Sequence, residues 1–247
     1  MTPPIHLEMA GFTDTGMVRP HNEDCILLDV GHGFALLADG LGGYNAGEVA
    51  SGMVVSLVAE GLRTQTAIDP VGLLKREVAK ANAVIFEASL RKPAYAGMGT
   101  TLVAAVFSDH RVTVAHVGDS RLYRLRAGRF EQLTRDHSLM QDQIDSGFIS
   151  RMAARLSPQR SLLTKALGTE PLVAIELGAF DTLPEDLYLL CSDGLTEMLE
   201  DKDILRTLAA WQSNLPVAAQ RLIQIANENG GLDNVSVILV RVVAPLV

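Results

Sequence analysis

The run Phe34-Ala35-Leu36-Leu37-Ala38 stops on Asp39, and Gly40, Gly42 and Gly43 fill three of the next four positions. It reads as a buried strand that delivers a carboxylate to an open edge. Glycines there allow a sharp turn or a close approach to the main chain. One such Asp-Gly between apolar runs also marks a hairpin. The ending recurs, however, at Tyr188-Leu189-Leu190-Cys191-Ser192-Asp193-Gly194, and Val114-Ala115-His116-Val117-Gly118-Asp119 is a near relative. The fold must therefore place several apolar strands, each with a terminal carboxylate.

The rest of the chain fixes the class of fold that does this. Strand patterns cover 5–15, 25–30, 99–107, 112–117, 122–125, 130–133, 173–180, 187–191 and 235–243, with turns at Gly31-His32-Gly33, Asp109-His110-Arg111 and Ala127-Gly128-Arg129. Helical stripes occupy 46–62 and 71–89, then 201–211 and 216–227, the last with a proline in its first turn. Strands come in groups separated by helix pairs, without regular strand-helix alternation. This predicts an α+β fold of antiparallel sheets with helices stacked outside. Residues 138–165 are helical in composition, interrupted by Gly147 and Pro158, and carry no acid from Arg151 to Lys165. No linker divides the chain, so residues 1–247 are expected to form one domain.

Composition removes several function classes. The net charge of -8 argues against a nucleic-acid partner, which would require a basic footprint. No apolar run reaches the roughly 18 residues of a membrane span, and the start lacks a basic and apolar leader, so a cytoplasmic protein is expected. Cys25 and Cys191 sit in apolar runs and read as small buried hydrophobes. Neither has an arginine six residues on, where Gly31 and Glu197 stand, so a cysteine-dependent phosphatase is excluded. Neither a Gly-x-x-x-x-Gly-Lys-Ser/Thr nor a Gly-x-Ser-x-Gly run occurs.

What remains is acid at strand ends. Glu23, Asp24, Asp39, Asp119, Asp193 and Asp233 each border an apolar strand. Brought into one cleft they would repel one another, and hard divalent cations resolve that conflict. Without a His/Cys set of the zinc type, Mg²⁺ or Mn²⁺ is the expected ion. Two such ions lower the pKa of a shared water and neutralise charge on a phosphoryl group. Arg19, just before the acidic pair, offers the fork that phosphate oxygens favour.

These residues, in series, resemble the metal-dependent serine/threonine phosphatases of the PPM (PP2C) family, bacterial branch. The motifs that carry the resemblance are Gly11-Phe12-Thr13-Asp14-Thr15-Gly16 through Arg19 to Asn22-Glu23-Asp24, then Ala38-Asp39-Gly40-Leu41-Gly42-Gly43, Met98-Gly99-Thr100-Thr101 and His116-Val117-Gly118-Asp119-Ser120-Arg121. Asp136-His137-Ser138, Cys191-Ser192-Asp193-Gly194-Leu195 and Asp233-Asn234-Val235-Ser236 complete the series. The resemblance implies an αββα sandwich, two central antiparallel sheets flanked by helix pairs, with 138–165 as a flap. It implies two Mn²⁺ or Mg²⁺ ions, bridged by Asp39, with the Gly40 carbonyl, Asp193 and Asp233 as further ligands. Glu23 and Asp24 would hold waters of the ions, and Asp119 would serve a third, weaker ion. Arg19 would bind the substrate phosphate, while Gly42, Gly43 and Asn234 support the cleft.

The implied reaction is in-line attack of a bridging hydroxide on phosphoserine or phosphothreonine, by a monomer that reverses a Ser/Thr kinase. Three positions depart from the family pattern. Leu41 stands where animal members have a histidine, Tyr44 where many bacterial members have one, and Ser157-Pro158-Gln159-Arg160-Ser161 replaces the commoner flap motif. His21 and His137, beside these residues, read as packed structural histidines. The rival reading is a phosphoprotein-binding pseudophosphatase, which should have lost a metal aspartate; Asp39, Asp193 and Asp233 are all present.

Overall fold

The computed structural model describes residues 6–42, 46–64, 69–108 and 110–243; Ile5, Gly43, Tyr44 and Asp109 lie outside them. In chain order the elements begin with β1 (His6–Asp14), β2 (Asp24–Asp29), β3 (Phe34–Leu41), α1 (Ala46–Thr64) and α2 (Pro70–Arg91). There follow β4 (Gly99–Thr100), β5 (Leu102–Ser108), β6 (Arg111–Val117), β7 (Arg121–Arg126), β8 (Arg129–Gln132), α3 (Leu139–Asp145) and α4 (Arg151–Arg155). The chain continues through β9 (Glu176–Asp181), β10 (Leu187–Cys191), α5 (Asp193–Met198), α6 (Asp201–Trp211), α7 (Leu215–Glu228) and β11 (Val235–Val243). One sheet runs β1-β11-β10-β7-β8 and the other β2-β3-β5-β6-β9, with β4 paired to β3. Neighbouring strands pair antiparallel throughout.

The two sheets face each other, and their central strands are buried on both sides. In β3, Phe34, Leu36 and Ala38 pack under α1 and α2, whereas Ala35 and Leu37 point between the sheets. In β11, Val235, Val237 and Leu239 face α5, α6 and α7, whereas Ile238, Val240 and Val242 meet the opposite sheet. This double burial explains why the strands read as continuous apolar runs even though the sheets are antiparallel. The expected αββα layering is thus present, with the short α5 added to the α6–α7 pair.

The structure departs from the sequence expectations in three places. The stretch 99–107 is two strands, because Thr101 turns the chain: its N–H donates to the Asp39 carbonyl at 2.9 Å, so β4 pairs with Gly40 and Leu41 while β5 pairs with Phe34 to Leu37. Helix α5 was not anticipated; it starts directly after β10, and six residues are too few to show a stripe. Within 138–165 only α3 and α4 are helical, each opened by a serine, Ser138 and Ser150, whose hydroxyl accepts a backbone N–H. Cys191 is buried, Cys25 half-buried, and both are free thiols.

Candidate metal centre

The strand ends meet at one mouth of the sandwich. Asp24 opens β2 and stands opposite Asp39 in the register of β3, so the two side chains share a face. Asp193 is the first residue of α5, Asp119 follows Gly118 in the turn after β6, and Asp233 with Asn234 precedes β11. Ser192 occupies the N-cap position of α5 but makes no capping hydrogen bond. Its hydroxyl instead donates to Asp24 Oδ2 at 2.8 Å and accepts the Ser236 N–H at 2.9 Å, which ties one sheet to the other beneath the carboxylates.

The loop before β2 is positioned by Asn234. Its amide donates to the carbonyls of Thr15 at 2.9 Å and His21 at 2.8 Å, and its Oδ1 accepts the Glu23 N–H at 2.8 Å. The Glu23 carbonyl takes the Gly40 N–H at 3.1 Å and the Ser51 hydroxyl at 2.6 Å. Asp39 is held from the other side by Thr101, whose Oγ1 accepts its N–H at 2.9 Å. Ser51 was not singled out from sequence, since one polar residue in an apolar helix gives no signal of what it bonds, and Thr101 stood there only as part of the Met98-Gly99-Thr100-Thr101 motif, without an anchoring role. Gly40 lies so close to the start of α1 that a Cβ there would overlap the Gly47 carbonyl. Gly42 adopts φ +141°, which glycine alone reaches without strain.

The electrostatics of the cluster are unbalanced. Burial, with Asp24, Asp193, Asp119 and Asp233 around it, pushes Asp39 well above the usual carboxylate range. Asp193 is pushed well up in the same way, by burial and then by Asp119, Glu197 and Asp233. Burial and Asp136 raise Asp119 to about 7, and burial raises Asp24 to about 6. Glu23 is raised as well, chiefly by burial. Oδ1 of Asp24 and Oδ1 of Asp193 are buried without any hydrogen-bond partner among the described residues. Convergent carboxylates with orphaned oxygens fit a hard divalent cation, whose charge and oxygen preference answer both defects.

Arg19, half-exposed at the rim, is the nearby cation: its Nη2 lies 2.7 Å from Asp233 Oδ2, and this hydrogen bond raises its pKa. A second cluster, His116, His137 and Glu176, offers ligand atoms within 4.8 Å of one another. There the hydrogen bonds of His137 are allotted, whereas both ring nitrogens of His116 are buried without a partner among the described residues. His137 Nδ1 accepts the Gly118 N–H at 3.1 Å, so its proton is on Nε2, which faces Glu176 Oε2 at 3.1 Å. His116 stacks on His137 at 4.8 Å between ring centroids, and burial drives its pKa down to about 3. The pair supports the Gly118-Asp119 turn, the packed role expected for His137.

Comparison with known proteins agrees with this geometry. The family profile for protein phosphatase 2C matches residues 20–228. The serine/threonine protein phosphatase PstP of Mycobacterium tuberculosis is 39% identical over 237 residues, 96% of this chain, and the chain spans 45% of that relative's length. The serine/threonine phosphatase stp of Listeria welshimeri is 37% identical over 235 residues, covering 92% of this chain and 93% of its own. A crystal structure of M. tuberculosis PstP/Ppp superposes with a TM-score of 0.90 at 36% identity, covering 97% of this chain and 100% of that one. The PstP catalytic domain in complex with two manganese ions gives 0.89 at 35% identity, covering 98% and 100%. With a profile match over most of its length, and solved relatives that superpose on nearly all of it, this chain belongs to the protein phosphatase 2C family.

Proposed function

We propose that the chain is a metal-dependent serine/threonine protein phosphatase, acting as one domain with 138–165 as a flap. The observation that carries this reading is the buried carboxylate cluster with two orphaned oxygens, with Arg19 at its rim. Asp39, the Gly40 carbonyl, Asp193 and Asp233 would hold two Mn²⁺ or Mg²⁺ ions, Glu23 and Asp24 would orient water around them, and Asp119 would serve a third. When bound, the ions supply hydroxide near neutral pH and neutralise developing phosphoryl charge. Arg19 leaves Asp233 and forks onto the phosphoryl oxygens. Gly42 keeps the floor of the cleft clear for the substrate, the supporting role also expected of Gly43, which lies outside the described residues. Asn234 keeps the Arg19 loop in place through its two carbonyl contacts. Leu41 has no proton to give, so the departing alkoxide takes one from water.

Phosphoserine and phosphothreonine proteins are the substrates in this reading, among them the products of a Ser/Thr kinase. No helix among the described residues is long and apolar enough to cross a membrane, and a cytoplasmic site of action is part of the same proposal. Turnover of p-nitrophenyl phosphate and a phosphothreonine peptide tests the proposal. Hydrolysis should require Mn²⁺ or Mg²⁺, stop in EDTA, and fall at least 100-fold in Asp39→Asn and Asp193→Ala. Equal turnover in EDTA would overturn it, and an inert wild type that still binds the peptide would make the chain a pseudophosphatase.

A further inference from the structure

A cavity of about 360 Å³ opens between the flap and α5, lined by Asp119 and Asp193 of the centre and by Arg151 and Arg155 of α4. Most charges around it are already matched. Arg121 forks onto Asp136, with its closer contact at 2.6 Å, Arg160 Nε meets Glu197 Oε1 at 3.2 Å, and Lys202 Nζ meets Glu200 Oε2 at 2.6 Å. Asp201 accepts the Tyr123 hydroxyl at 3.2 Å. Asp119 and Asp193 belong to the cation cluster. Three charges are then left without an opposite partner among the described residues, the carboxylate of Asp201, held only by the neutral Tyr123 hydroxyl, and two arginines. Arg155 donates only to the Glu197 carbonyl, at 3.3 Å, and feels Glu200 at longer range, while Arg151 makes no hydrogen bond or ion pair among the described residues and feels only the exposed Asp145. The flap beside them also exposes Phe148, Met152 and Leu156, each at least 76% exposed, an apolar ridge of the kind that contacts a partner chain.

We propose that this cavity is a second anion subsite, which takes an acidic or phosphorylated side chain of the substrate close to the residue being dephosphorylated. The proposal rests on the phosphatase reading and specifies the substrate class. A peptide whose phosphoryl group reaches the carboxylate centre brings its neighbouring side chains into the same cavity, because Asp193 lines both. Once cations occupy the centre, Arg151 and Arg155 against the single carboxylate of Asp201 leave that path with an excess of positive charge. They select against lysine as much as for glutamate, since a like charge in a half-enclosed site is repelled.

The test is a set of phosphothreonine peptides in which one residue, walked from three before to three after the phosphothreonine, is Glu, phosphoserine, Ala or Lys. For wild type in Mn²⁺, kcat/KM for Glu should exceed that for Lys by about 5- to 10-fold at one or two positions. The phosphoserine arm separates a second phosphoryl group from a carboxylate as the preferred anion. Both arginines are exposed, so R151Q/R155Q should fold, and its Glu-over-Lys ratio should fall below about twofold. R151E/R155E should invert the ratio, which mere damage to the flap would not do. A flat wild-type profile, or a preference retained in both variants, overturns the subsite. Calorimetry on wild type in Mn²⁺, with the same peptides carrying a non-hydrolysable phosphonate in place of the phosphothreonine, reads the preference without turnover. If wild type fails to cleave p-nitrophenyl phosphate yet the calorimetric preference holds, the phosphatase reading fails and the subsite stands.

Discussion

Asn234 joins three backbone groups that lie more than 200 positions away in the chain, and among the described residues no other side chain bonds to both the Arg19 loop and the Glu23 amide. Its amide has one acceptor and two donors, and here all three are used. Alanine would strand the Glu23 N–H and two carbonyls; aspartate would keep the acceptor, lose both donors and add a charge to a crowded acidic cluster. Asn234→Ala is therefore expected to lose about 2–4 kcal/mol in urea denaturation. It should also raise KM for p-nitrophenyl phosphate, because Arg19 sits on the released loop. Asn234→Asp should be at least as damaging, and a milder effect would show that the two donated bonds are unimportant. At this scale the sequence was partly legible. The acids announced themselves by closing apolar runs, but Asn234 was noticed only beside Asp233, Thr101 only within a family motif and without its bonds, and Ser51 not at all. A long-range hydrogen bond leaves no local pattern.

The start of α1 crosses the end of β3 at Gly47 and Gly40. A Cβ on Gly47 would stand 2.8 Å from a Glu23 carboxylate oxygen and 2.9 Å from the Gly40 carbonyl carbon. Helix propensity and packing therefore make opposite predictions for Gly47→Ala. Propensity favours alanine by about 1 kcal/mol, whereas overlap with backbone costs about 1–3 kcal/mol and displaces two candidate ligands. Overlap should win, so Gly47→Ala is expected to be less stable and to bind Mn²⁺ more weakly by calorimetry. Gly52, in the same helix, has nothing within 4 Å of its would-be Cβ. Gly52→Ala should gain about 0.5–1 kcal/mol, and equal effects at the two sites would refute the packing account. Elements were legible where a stripe or apolar run was long, as in α1, α2, β3 and β11. They were not where tertiary bonds decide: Thr101 splits a single apolar run because Asp39 holds its N–H, and α5 exists because Asp193 is carried straight from β10 into a turn.

The centre spans the whole molecule, since Asp24 and Asp39 come from the six-stranded sheet and Asp193 and Asp233 flank strands of the five-stranded one. Its protonation should therefore register in global stability. Asp24 near 6, Asp119 near 7, and Asp39 and Asp193 well above 3.8 bind protons in the fold that the unfolded chain has released. By linkage, stability without cations falls as pH rises through those values. His116, lowered to about 3 from 6.5, and His137, also lowered, act in the opposite sense, adding stability as pH rises toward 6.5. Above 6.5 the histidines contribute no slope, because the unfolded chain has released those protons too. The carboxylates alone then act. In EDTA the thermal midpoint should fall from pH 6.5 to 8. In saturating Mn²⁺ the cation replaces the protons and the fall should vanish. The gap between the curves should widen with pH to on the order of 10 °C, the result of a ligand present at about 1,000 times its dissociation constant. Asp193→Asn removes one acid with an orphaned oxygen, so it should flatten the EDTA curve and narrow the gap. Parallel curves in EDTA and Mn²⁺ would mean that the raised carboxylates and the cation site are not the same groups.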